Sequence, residues 1–434
     1  MRVLTQDYNL FQEAIFAYNK HLAVRENGFM KMHETSSEKR LYGYLLFEFE
    51  LAMDLEFTDF TILKSFVVDL GIENSIGQKL RKAFVSPVLM PTYVNYHHSH
   101  LFTLALSSIC SFAFERPVFS TNNDFYNRFE LSTELELKEI GSEFPQTVLG
   151  NPQSIHRPHK EIVKLWKERL DEIIKLVDFS IENNELLNYE GLLQSFRLIQ
   201  LGHQNKKNDF DLAFSLLIAG IESISQVAIP QMCYNKQHES YNKWKKESRK
   251  SESLKLLLDE YRKFKEYVDN NIKHRDLTKR FVKFIHTYCP TNKWSEVLYR
   301  DLINEGLDVR EKYKNEISTF PEMVPENLTY AELNKIIKQT YQFRSKFLHT
   351  GKPTPHTFPN NSFNERYFQV IDNPEGRKKL FEKMEKENRN ESPYSEWSKA
   401  QDILIKFELM STIARVSITE YAKTCYNQAY KEKQ

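Results

Sequence analysis

The chain is poor in glycine, with 12 among 434 residues, which argues against a fold built from many tight turns. Its four cysteines, Cys110, Cys233, Cys289 and Cys425, are far apart and form no Cys-x-x-Cys pair. That spacing suggests no cysteine-based zinc or redox motif, and the cysteines read as free thiols in a reducing cytoplasm. No apolar run approaches the roughly 20 residues that a membrane-spanning helix needs. The opening MRVLTQDYNLFQEAIF has neither the basic head nor the short apolar core of a secretion signal. The reading is therefore of a cytoplasmic protein with no membrane partner. Gly-rich phosphate loops, a nucleophile elbow, His-Glu-x-x-His and paired-carboxylate motifs are all missing, and no cofactor is implied.

What is present favours helices. Lys, Glu, Leu, Ile and Asn are abundant, and 41% of the residues are hydrophobic, enough for substantial cores. The net charge of +1 hides an asymmetry. Residues 1–150 hold 13 Lys and Arg against 19 Asp and Glu, whereas residues 151–434 hold 47 against 40. The basic surplus therefore lies in the later part.

The first 150 residues read as a small mixed α/β domain. LYGYLLFEFELAMDLEF, 41–57, alternates in part and fits a half-buried strand as well as a helix. HLFTLALSSICSFAFERPVFS, 100–120, is rich in β-branched and aromatic residues, and strands are expected there. VLGNPQSIHRPHK, 148–160, has the composition of a linker. From 151 to 434 the pattern is helical. DFDLAFSLLIAGIESISQVAI is apolar almost all round, as a buried central helix would be. A polar loop is expected from Gly351 to about Ser395, and a long amphipathic helix from about 396 onward.

YQFRSKFLHTGKP, 341–353, ends a further helix, with Gly351 and Pro353 as stop signals. At 100° per residue, Ile336, Thr340, Phe343 and Phe347 form the core stripe of that helix. Ser345 and His349 face roughly the other way, with Tyr341 next to them one turn back. Arg344 lies about 140° from His349, within reach of a swinging guanidinium. Cations at a helix C-terminus also serve simply as favourable charges for the last carbonyls. A His four to six residues after an Arg discriminates little, because Arg197 with His203 and Arg280 with His286 also fit that pattern.

The flanking residues separate the three pairs. Tyr341, Arg344, Ser345, His349 and Gly351 together resemble the signature of HEPN domains, in the form typical of the ApeA-type branch. AFSLLIAGIESI resembles the first core helix of that branch, apolar around one glutamate, here Glu222. The resemblance covers about 205–350 and the last helix, and leaves residues 1–150 uncovered. It implies a mainly α protein: a C-terminal HEPN-type helical bundle preceded by the smaller mixed α/β domain. It also implies a metal-independent endoribonuclease leaving a 2′,3′-cyclic phosphate, with two motifs meeting across a homodimer cleft. In that role His349 would move protons, Arg344 would bind phosphate oxygens, and Ser345 would hydrogen-bond the imidazole or the phosphate. Glu222 and Tyr341 would support them, with Arg344 as the family's partner for Glu222. A toxin or anti-phage effector is the implied role, with a phage-derived trigger or an antitoxin as possible partner. A non-catalytic HEPN module that binds RNA, nucleotide or protein is the alternative.

Candidate RNA-backbone cations are Lys346 and Lys352 beside the motif and Lys245, Lys246, Arg249 and Lys250 in KWKKESRK. Arg275, Lys279 and Arg280 are further candidates, although such charge runs often form solvated faces only. In YHHSH, 96–100, His98 and His100 have no nearby acidic or thiol residue to complete a metal site.

Overall fold

The computed structural model describes residues 40–71, 82–92, 94, 99–121, 127–143, 157–230, 238–298, 325–353, 367–371, 378, 382 and 402–432. Most of the linker at 148–160 and of the polar stretch at 351–395 lies outside these residues, as do His98 and Cys233. The protein is mainly helical, with a small strand region in its N-terminal part.

Strands β1 (Tyr42–Phe47), β2 (Leu55–Glu56), β3 (Thr61–Ile62), β4 (Phe66–Asp69), β5 (Lys82–Leu89) and β6 (Val118–Ser120) form one sheet. Its order is β2-β3-β5-β1-β6, with β4 also on β5, and every pair is antiparallel. Side chains alternate between its faces. Leu45 and Phe47 enter the main core, whereas Tyr44 and Leu46 join Ala83, Val85, Leu137 and Ile140. The last two belong to helix α2 (Glu134–Glu143), so both sheet faces are covered.

The strands expected over 100–120 are mostly absent. Ser99–Phe114 is helix α1, and only Val118–Ser120 is extended. Fifteen of its 16 residues are buried, so no polar face marks the helical period. Its interior serines are satisfied locally: Ser107 Oγ donates to the Leu104 carbonyl at 2.7 Å and Ser108 Oγ to the Ala105 carbonyl at 3.0 Å.

Helices α3 (Lys160–Glu182), α4 (Tyr189–Asn205) and α5 (Phe210–Ala228) follow. Asn188 and Asp209 cap the N-termini of α4 and α5 by accepting backbone N–H groups. Helices α4 and α5 pack closely at Gly220, where a Cβ would sit 2.8 Å from Ile199 Cγ1. By length and composition α5 could cross a membrane, but more than half of it is buried inside the fold. Next come α6 (Tyr241–Glu247), the 37-residue α7 (Glu252–Tyr288) and a 3₁₀ turn, Thr291–Glu296. Helix α8 (Tyr330–Thr350) carries the Arg-Ser-His motif, and α9 (Phe407–Glu432) closes the described chain.

Two expectations about the C-terminal part change. Strand β7 (Phe368–Ile371) falls within the stretch read as loop, and it pairs with β8 (Asp402–Ile405), which was read as helix. The reason is tertiary: β8 lies on α8, and the Ile405 N–H donates to Thr340 Oγ1 at 3.3 Å. Isolated sequence periodicity carries no signal for such a two-stranded element, which needs a surface to pack on.

A single hydrophobic cluster joins the sheet to the helices, running from Leu45 and Phe114 through Trp166 and Phe214 to Ile413. A buried ionic group ties the same parts together. Arg415 Nε donates to Glu115 Oε1 at 2.5 Å and Arg415 Nη2 to Glu296 Oε2 at 2.9 Å. Thr412 Oγ1 donates to the other Glu115 oxygen at 2.7 Å. Burial opposes the Arg415 charge, but the two carboxylates outweigh it and raise its pKa. Cys110, Cys289 and Cys425 are free and buried.

His203 is also buried, 2.8 Å from Ser411 Oγ. Burial, together with Arg116 and Lys206 nearby, lowers its pKa to about 3. The unfolded chain takes up this proton near pH 6.5 and the folded chain only near pH 3. Its stabilising contribution is therefore full above about pH 6.5 and is lost as pH falls toward about 3. The wild-type urea midpoint is expected to fall more steeply between about pH 7 and pH 4 than that of His203→Gln. Parallel midpoint-versus-pH curves would show that His203 is not buried in its neutral form.

Candidate active site on helix α8

The N-terminus of α8 is fixed by a capping box. Thr329 Oγ1 accepts the Glu332 N–H at 3.3 Å, and Glu332 accepts the Thr329 N–H at 2.8 Å. Its C-terminus closes on Gly351 at φ 65°, a left-handed conformation that glycine adopts at little cost. Leu333, Ile336, Ile337, Thr340, Tyr341 and Phe343 form its buried side. Ile336, Thr340 and Phe343 thus face the core as expected, while Phe347 is only half-buried. Tyr341 is a correction: it does not share the outer side with Ser345 and His349 but is buried against Phe281, with ring centres 5.0 Å apart.

The reason is Glu222. This carboxylate sits in the apolar helix α5 and is 6% exposed. A buried charge requires compensation. Arg344 Nη2 lies 2.9 Å from Glu222 Oε2, and Tyr341 Oη donates to Glu222 Oε1 at 2.9 Å. Gln226 Nε2 makes a longer contact of 3.5 Å with the same oxygen. Burial, and then the Glu222 charge, push the Tyr341 hydroxyl pKa well up, so it remains a donor. The Arg344 guanidinium also approaches the Tyr341 ring, 5.9 Å from its centre. Arg344 Nε is buried with no hydrogen-bond partner, and 19% of the side chain reaches solvent.

The structure therefore brings Glu222, Tyr341 and Arg344 into one cluster. Ser345 is half-buried and His349 exposed, further along α8. Lys346 and Lys352 are exposed around His349, and Lys346 Nζ lies 5.1 Å from the Phe343 ring centre. The other two Arg–His pairs are structural. Arg197 donates to Gln200 at 2.7 Å, and His203 is buried. Arg280 Nε donates to the Ile229 carbonyl at 2.8 Å and its Nη2 to the Gln226 carbonyl, at the C-terminal end of α5. His286 is half-buried, with its pKa lowered by burial against a hydrogen bond to Asn334. Arg280 is thus occupied by carbonyls rather than offered to phosphate, while Lys279 is exposed and the Arg275 side chain lies outside the described residues.

Lys245, Lys246, Arg249 and Lys250 are exposed on α6 and the turn after it. Among the described residues no three His, Cys, Asp or Glu side chains could hold a metal ion together. An open cavity of about 520 Å³ lies away from α8, between α3, α9 and the 3₁₀ turn. Its charges largely neutralise one another: Lys423 pairs with Glu172 at 2.7 Å, Lys293 with Glu296 at 3.5 Å and Arg415 with Glu296 at 2.9 Å.

The sequence reading missed the histidine contact that sets α7 against α8. His286 Nε2 lies 2.9 Å from Asn334 Oδ1, and its ring is 4.6 Å from that of Tyr330. No motif marks that contact. Comparison with known proteins adds no identification: no family model, curated protein or solved structure matches the chain.

Removing either partner of the Glu222–Arg344 pair leaves the other inside with its charge uncompensated. Glu222→Ala and Arg344→Ala are each expected to cost about 2–4 kcal/mol, the partial exposure of Arg344 keeping the figure below that of a fully buried pair. Glu222→Ala combined with Arg344→Ala is expected to cost less than the sum of the two single changes. Urea denaturation of the four proteins reads this coupling, and strict additivity would show that the two groups do not interact.

Proposed function

We propose that this protein is a metal-independent endoribonuclease of the HEPN type, acting in the cytoplasm as a homodimer. The observation that carries the reading is the division of labour along α8. Arg344 is oriented by a buried carboxylate and a buried phenol, and His349 is exposed among cations at the end of the same helix. Of the three Arg–His pairs, this one alone has its histidine open to a ligand and flanked by lysines.

The chemistry needs few groups. An imidazole accepts the proton of a ribose 2′-hydroxyl, and the oxygen attacks the adjacent phosphorus. The bond to the 5′-oxygen breaks, that oxygen takes a proton, and the products are a 2′,3′-cyclic phosphate and a 5′-hydroxyl end. His349 is the proton-transfer group in this scheme. The solvent-reaching part of Arg344 supplies positive charge as the phosphorane forms, Lys346 and Lys352 hold the strand, and Ser345 hydrogen-bonds imidazole or phosphate. The biological role consistent with such chemistry is a toxin or anti-phage effector, restrained until a phage-derived trigger or loss of an antitoxin partner releases it.

A second reading has its own support. Most of Arg344 is engaged by Glu222 and Tyr341, as it would be in a purely structural ion pair. On that reading the domain is a non-catalytic HEPN module that binds RNA, nucleotide or a protein partner.

Purified protein incubated with tRNA and total RNA in EDTA separates the two. Wild type is expected to cleave, and His349→Ala to cleave about 10²–10⁴-fold more slowly. Arg344→Ala is expected to lose activity as well. Cleavage undiminished in His349→Ala would remove the assignment, and intact RNA with every protein would favour the non-catalytic module.

A further inference from the structure

The open cavity of about 520 Å³ between α3, α9 and the 3₁₀ turn shares no residue with the α8 motif. Its size suits a small molecule. Positions 165, 168, 169 and 172 of α3 line it at the three-and-four spacing of one helix face, and α9 lines it from position 415 to 423. Leu165, Leu298 and Val416 make part of the wall apolar, and most of the rest is charged.

The cations of the wall are engaged. Glu115, just past the end of α1, has φ 57° and is the only non-glycine in the left-handed region among the described residues. The Arg116 N–H donates to the Ser111 carbonyl at 3.3 Å, closing a helix end where glycine is the usual residue. A glutamate carries backbone strain there. Its carboxylate holds two wall cations, Arg415 and, at 3.6 Å, Arg169. Lys293 lies 3.5 Å from Glu296, which also takes Arg415. Lys423 bridges Glu172 at 2.7 Å and Glu420 at 3.0 Å. Each of the four wall cations therefore faces at least one carboxylate.

Two wall groups are left over, and both ask for a donor. Glu168 is exposed and has no ion pair among the described residues. It also stands one helical turn before Glu172, a spacing at which like charges repel. Thr419 is 6% exposed, and its hydroxyl has no hydrogen-bond partner. Thr412 and Thr424 of the same helix donate to the carbonyls four residues back, at 3.2 Å and 2.8 Å. Thr419 does not, and its oxygen keeps both lone pairs for another group.

We propose that this cavity binds a short aliphatic diamine. One ammonium sits between Glu168 and Glu172 and relieves their repulsion. The other lies beside Glu420 and donates to Thr419 Oγ1. The methylenes between them lie on Leu165 and Val416. A metal ion fits less well, because its ligands must converge, and among the described residues no three His, Cys, Asp or Glu side chains do so. An anion would have to displace carboxylates that Arg415 and Lys423 already hold. The proposal does not depend on the nuclease reading.

Isothermal titration calorimetry of the full chain, free of RNA, with 1,4-diaminobutane at fixed ionic strength tests it. Wild type is expected to bind one equivalent, and its Tm to rise with diamine concentration. Glu168→Gln, at an exposed position, is expected to bind about tenfold more weakly, and wild type to bind 1-aminobutane about tenfold more weakly than the diamine. Thr419→Val keeps the side-chain shape, removes the oxygen and is expected to weaken binding as well. Glu185→Gln, an exposed carboxylate outside the cavity, is expected to bind as wild type does. No binding by wild type at millimolar diamine, or undiminished binding by Glu168→Gln, would overturn the proposal. Equal affinity for 1-aminobutane, or an equal loss in Glu185→Gln, would also overturn it, since either would mean general charge attraction rather than a site.

Discussion

A carboxylate inside an apolar helix dictates the position of its neighbours. Glu222 lies on α5, the helix around which α4, α7, α8 and α9 pack, and only 6% of it is exposed. It needs a cation and a donor, and α8 supplies both from positions 341 and 344. That demand fixes the rotation of α8 about its axis. Once Tyr341 and Arg344 turn inward, His349, five residues past the arginine, turns outward. The orientation of the exposed histidine is thus a consequence of an ion pair it does not join. Thr340 reinforces the same rotation, donating to the Ile336 carbonyl at 2.9 Å and accepting the Ile405 N–H of β8.

The rest of the architecture holds α5 in place. Glu115 and Arg415 join the end of α1 to α9, and the continuous core extends from the sheet to the same helix. The strand region is therefore in direct physical contact with the helical part that bears the candidate site. A ligand that shifted α1 would act on α9 through a buried charge pair, which tolerates little displacement.

Much of the helical part was legible in the residues. The apolar run around Glu222 and the stop at Gly351 each carry a local signal that the structure honours. The pairing of Glu222 with Arg344 was expected only from the family resemblance, since a lone glutamate in an apolar run fits an edge position equally well. Helix α1 was misread because burial on all sides erases the polar face that distinguishes a helix from a strand. Strands β7 and β8 were missed because their stability comes from α8, some 60 residues away along the chain from β8. The inward turn of Tyr341 was missed because a helical wheel ranks residues by their neighbours on one helix, whereas its partner lies on another.

In the proposed nuclease, Glu222 would hold Arg344 where it and His349 meet the same stretch of RNA. Nuclear magnetic resonance of the His349 imidazole during titration with an RNA that cannot be cut, its 2′-hydroxyls replaced by hydrogen, tests this most directly. The account predicts a shift of the His349 resonances on binding, with a weaker response in Glu222→Gln and none in Arg344→Ala. Saturating RNA that leaves the His349 resonances unmoved in the wild type would contradict it.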